Sequence, residues 1–131
     1  MQFLAENLRI LEKVNPGLAK EIKGAEKPNE IGIHTNNDFT NISIKKNNQS
    51  LLIYEKDENK ETIQKALEKN FKLHDNTVSI LIGIGAGHML NEAIEKKEKK
   101  HIIIVAESIP YLLKLYLQNN NISKQIKDGE V

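Results

Sequence analysis

The chain has 131 residues, 39% hydrophobic and 28% charged, with 19 Lys and Arg against 18 Asp and Glu and no cysteine. A near-neutral balance with one arginine, Arg9, argues against a dedicated nucleic-acid binder, which needs a clustered basic surface; the missing thiols remove disulfide frameworks, thiolate metal sites and cysteine nucleophiles. No apolar run approaches the roughly 20 residues of a membrane span, and the opening MQFLAENLRILEKV carries charges inside its apolar spacing, unlike a signal peptide, so a single cytoplasmic α/β domain is expected.

Residues 1–27 read as helical. Leu4, Leu8 and Leu11 recur at helical spacing, with Ile10 and Val14 beside them. Asn15-Pro16-Gly17 interrupts this stripe. Asn15 suits an N-cap and Pro16 a first helical position, so a second short helix carries Leu18, Ile22 and Ala25 before Pro28. Over 30–55 the period becomes two. Ile31 and Ile33, Ile42 and Ile44, then Leu51 and Ile53 alternate between Asn-rich stretches, which predicts a small antiparallel meander covered on one face by the N-terminal helices.

Residues 57–131 read as a partial Rossmann-like βαβα unit. An acidic turn at Asp57 and Glu58 opens a helix with Ile63, Ala66, Leu67 and Phe71 on one side. VSILIGIGAG from Val78 and HIIIVAES from His101 are continuous apolar runs, as expected of parallel strands buried on both faces. Between them a helix starting near His88 carries Leu90, Ala93 and Ile94, and its Glu92, Glu95 and Glu98 alternate with lysines as on a solvated face. A last helix holds Tyr111, Leu112, Leu115 and Tyr116, with Ser108 as its cap and Pro110 in its first turn. Such a unit normally feeds a third strand, so the sequence reads as the N-terminal part of a longer polypeptide.

Gly83, Gly85 and Gly87 follow a strand and precede a helix, where backbone N–H groups and the positive helix end suit an anionic or ribose-bearing ligand. Glu107 ends the next strand 20 residues after Gly87, the place from which a carboxylate accepts bonds from ribose hydroxyls. The spacing is G-x-G-x-G, with His88 where the dinucleotide fingerprint has its third glycine. NAD and FAD are thereby disfavoured, and a nucleotide or S-adenosylmethionine is the possible cofactor. The competing reading is a tight strand-to-helix turn with no ligand. His34, His74 and His101 lie apart without metal-ligand spacing, so no metal is expected, and no nucleophile elbow or P-loop occurs to supply catalytic residues.

In order, NLRILEKVNPGLAKEI, LLIYEKDENKE, ILIGIGAGHMLNEAIE and IIIVAESIPYLLKLYLQNNNIS resemble the N-terminal domain of the motility accessory factor glycosyltransferases, over most of the chain. His88 replaces an aromatic residue more usual after the third glycine, and Ser108 with Pro110 varies the acidic strand end. The resemblance implies a bacterial protein that helps transfer a nonulosonic acid from a CMP-sugar to Ser or Thr of flagellin. Flagellin and a downstream catalytic domain would be its partners. The catalytic residues of that family lie beyond the matched region, so the resemblance assigns none to this chain and implies that this stretch alone is inactive. The alternative is a stand-alone nucleotide- or S-adenosylmethionine-binding domain with Gly83, Gly85, Gly87 and Glu107 at the ligand.

Overall fold

The computed structural model describes residues 3–36, 39–54 and 58–131. The fold is mixed α/β: two N-terminal helices, a three-stranded antiparallel sheet, and a two-stranded parallel sheet with helices. The opening Leu stripe forms α1 (Leu4–Val14), and Asn15 caps α2 (Pro16–Gly24) by accepting the Leu18 N–H at 3.1 Å, with Pro16 in the first turn.

The meander comprises β1 (Ile31–Asn36), β2 (Phe39–Lys46) and β3 (Gln49–Leu52), in that spatial order. Ile31 pairs with Ile44 and Ile33 with Ile42, which gathers the alternating isoleucines onto one face. Lys46 pairs with Gln49 across a two-residue turn in which Asn47 and Asn48 both have positive φ, a hairpin conformation that asparagine tolerates. Ile31 and Ile42 are buried in the same apolar cluster as Ala19 and Ile22 of α2, whereas β3 is exposed along its length.

Helix α3 (Lys60–Asn70) begins later than its acidic prelude suggests. Asn59 is the cap: its side chain accepts from the Glu61 and Thr62 N–H groups, and Thr62 Oγ1 accepts from the Asn59 N–H in return. Asp57 lies outside the described residues. Phe71 follows the helix as its C-terminal flank.

Strands β4 (Val78–Ile82) and β5 (Ile102–Ala106) pair in parallel around α4 (His88–Lys96), followed by α5 (Pro110–Asn119) and α6 (Ser123–Lys127). The expected burial of both sheet faces does not hold. Ser79 and Ile103 are buried, but Val78 is 55% exposed, Ile80 60%, Ile82 84%, Ile102 43% and Ile104 49%. Among the described residues the helices cover one face only, so a continuous apolar sequence shows an alternating pattern of burial. On the far side of β5 from β4, the Ile103 N–H donates to Glu130 O at 2.9 Å, so a segment after α6 pairs with that edge.

The polar stretch after Gln118 gives no sign of α6, a five-residue helix whose Ile126, with Ile122 before it, is buried against the core. α6 packs on α1. Asn7, fully buried on α1, makes the connection: its Nδ2 donates to Leu117 O at 2.9 Å and Asn120 O at 2.7 Å, and its Oδ1 accepts from the Ile122 N–H at 3.0 Å. One amide thus satisfies backbone groups that α5 leaves unpaired at its end.

Candidate functional site: the glycine turn

The turn from β4 into α4 brings the four sequence-predicted residues together. Gly83, Gly85 and Gly87 have φ of 79°, 55° and 89°, the left-handed region that glycine adopts without strain. Gly83 N donates to Ala106 O at 2.7 Å, extending the ladder by one bond, and Gly87 N donates to Ile84 O at 2.9 Å to close the turn.

Glu107 does reach the turn, as a brace. Its Oε2 accepts from the Ile84 N–H at 2.8 Å, and its Oε1 accepts from the Ile109 N–H at 2.9 Å. One carboxylate therefore ties the glycine turn to the start of α5, each oxygen holding a charge-assisted bond to the chain's own backbone. Ser108 is not the cap expected of it: Ile109 holds that position with no side-chain cap bond, and Pro110 occupies the first turn of the helix.

Two tyrosines that no ligand-binding motif marks fill the turn's concave sides. A Cβ on Gly85 would lie 2.7 Å from Tyr54 Oη, and one on Gly87 would overlap the Tyr116 ring, 2.5 Å from Cε2. Both positions thus need glycine for close approach by the protein's own aromatic side chains. Beside Gly83 there is open space. Burial holds the Tyr54 phenol above its ordinary pKa, opposed by a hydrogen bond from the Ala86 backbone and assisted by the Glu58 charge. Burial likewise raises Tyr116, whose hydroxyl donates to Asn91 Oδ1 at 2.6 Å.

His88 faces the meander. Its Nε2 lies 2.7 Å from Thr40 O, so that nitrogen carries the proton and donates, and its ring stacks on Phe39 with centroids 4.1 Å apart and planes 8° from parallel. Tyr54 meets both rings edge-on, 5.3 Å from His88 and 5.5 Å from Phe39. This aromatic trio joins the small antiparallel sheet to the glycine turn.

Glu92, expected on a solvated face, is buried at 5% exposure. It borders a cleft of about 240 Å³ together with Phe39, Lys60, Ile63, His88, Asn91 and Glu95. Glu98 also has specific work, accepting the Asp75 N–H at 2.6 Å, and Lys97 pairs with Glu130 at 3.1 Å. The remaining histidines are dispersed. His101 is fully buried between Thr77 Oγ1 and Ser79 Oγ, at 2.7 Å and 3.0 Å. Among the described residues no three His, Asp or Glu side chains converge as metal ligands. No helix there is long and apolar enough to cross a membrane.

No protein-family model, curated protein or solved structure matches this chain. The chemistry legible at the turn is that of a rigid junction: its carboxylate and two of its three glycines are engaged by the protein's own groups.

Proposed function

We propose that this chain is the non-catalytic N-terminal module of a motility accessory factor-like glycosyltransferase, whose complete form transfers a nonulosonic acid from a CMP-sugar to Ser or Thr of flagellin in the bacterial cytoplasm. The observation that carries the reading is the open face of the parallel sheet. Val78, Ile80, Ile82, Ile102 and Ile104 form a ridge of β-branched side chains with no charge among them. Parallel sheets usually carry helices on both faces, and an exposed apolar face of this kind suits a second layer from another stretch of polypeptide. We assign that role to helices of the transferase's catalytic region. The bond from Ile103 to Glu130 on the outer edge of β5 is consistent with a sheet that extends in that direction.

This reading predicts that an antibody raised to the domain detects, in source cells, a band several times larger than 14.9 kDa. A band at 14.9 kDa would overturn it. The alternative, a nucleotide- or S-adenosylmethionine-binding domain, draws on the open space beside Gly83. Calorimetric titration with CMP and with S-adenosylmethionine separates the two. No saturable heat is expected; saturable binding that Glu107→Ala abolishes, in a variant shown to be folded by circular dichroism, would put the alternative first.

A further inference from the structure

Helix α4 turns inward a carboxylate that its neighbours leave half satisfied. Glu92 Oε1 lies 3.6 Å from Lys60 Nζ, beyond hydrogen-bond length, and Oε2 has no hydrogen-bond partner among the described residues. An ionised carboxylate can only accept, so a buried oxygen without a donor is a standing cost that a ligand N–H would remove. Lys60 is a loose cover over this group: its side chain is 69% exposed, against 7% for that of Glu92.

The chemistry of the cleft narrows the occupant. Two carboxylates, Glu92 and Glu95, disfavour an anion. A metal ion would need more ligands than converge here, and His88 Nε2 is already committed to Thr40 O. A compact ammonium is already present on Lys60 and leaves Oε2 unmet. A flat cation with N–H groups along one edge spans both oxygens of a carboxylate and, being weakly hydrated, tolerates apolar walls such as Phe39 and Ile63. We infer that this cleft binds a guanidinium group, with Glu92 as its bidentate acceptor, Glu95 as a second negative charge, and Lys60 as the competing cation it displaces. This site is separate from the open sheet face and does not rest on the transferase reading. The guanidinium belongs either to an arginine of a bound polypeptide or to a free guanidino compound.

The test is an amide NMR titration of the whole chain with agmatine, with the blocked tripeptide acetyl-Gly-Arg-Gly-amide, and with n-butylammonium. Saturable shifts at Ile63, Asn91 and Glu92 are expected with the guanidinium probes and not with n-butylammonium. Binding by the tripeptide alone identifies a polypeptide arginine as the source, and binding by agmatine alone a free compound. Glu92→Gln is expected to weaken binding about tenfold, and Lys60→Ala, at an exposed position that leaves the fold intact, to strengthen it. Three results would overturn the assignment. They are no saturation by either guanidinium probe in both the native chain and Lys60→Ala, unchanged affinity in a folded Glu92→Gln, or equal binding of n-butylammonium.

Discussion

Alanine at Gly87 tests whether this glycine serves packing rather than a ligand. The substitution meets two obstacles. At φ 89° an L-residue is strained by about 1–2 kcal/mol, and the added methyl runs into the ring of Tyr116, which is 2% exposed. Overpacking of this kind adds about 1–3 kcal/mol, giving about 2–5 kcal/mol in all, a large part of a small domain's stability. Gly83 supplies the control. Its φ of 79° imposes the same strain, but nothing lies within 4 Å of the position a Cβ would take, so Gly83→Ala should lose only the first contribution. Urea unfolding followed by circular dichroism measures both variants against the native chain. Gly87→Ala is expected to unfold at clearly lower urea than Gly83→Ala, with similar slopes. Equal midpoints for the two variants would refute the argument that Tyr116 dictates glycine at position 87.

Two further outcomes follow from the same geometry. Asn7→Ala orphans the carbonyls of Leu117 and Asn120 and the N–H of Ile122, and should cost about 2–4 kcal/mol in urea unfolding, whereas a loss under about 1 kcal/mol would show that water replaces the amide. Alkaline pH should also destabilise the fold: Tyr54 and Tyr116 hold their protons more tightly folded than unfolded, so their contribution is complete below the ordinary value of 10.0 and is lost as pH rises above it. Urea midpoints measured across that range should fall, and less steeply in Tyr54→Phe; an identical fall in that variant would show that Tyr54 takes no part.

What the sequence reveals and what it conceals have physical reasons. The helical stripe of α1, the Asn15-Pro16 cap and the isoleucine alternation of the meander are local signals, and each marks the element that forms. The glycine turn is legible for a similar reason, since strand, turn, helix and acid fall in order along one short stretch. The role of Glu107 is not, because its partners are backbone N–H groups, which no side-chain pattern records. The tyrosines that fill the turn come from residues 54 and 116, on opposite sides of it in sequence, and only the requirement for glycine at 85 and 87 hints at them. Glu92 has the sequence surroundings of a solvated residue, lysines and glutamates, while its burial comes from packing between α3 and α4. The continuous apolar runs of β4 and β5 imply cover on both faces, yet a run of Ile and Val cannot show that the helices reach only one of them.

Asn7 has a consequence for how the molecule is made. Its hydrogen bonds span 110 and 113 residues, so α1 leaves the ribosome well before the residues that supply its partners. Until α5 and α6 have emerged, Leu8 and Leu11 lack two of the helices that pack on α1 in the finished fold. Synthesis at about 5–20 residues per second leaves that stripe uncovered for several seconds, long enough for a chaperone that recognises apolar helices to hold it. The amide that closes the finished fold therefore also marks a delay, during which the apolar stripe of α1 stays open to other surfaces.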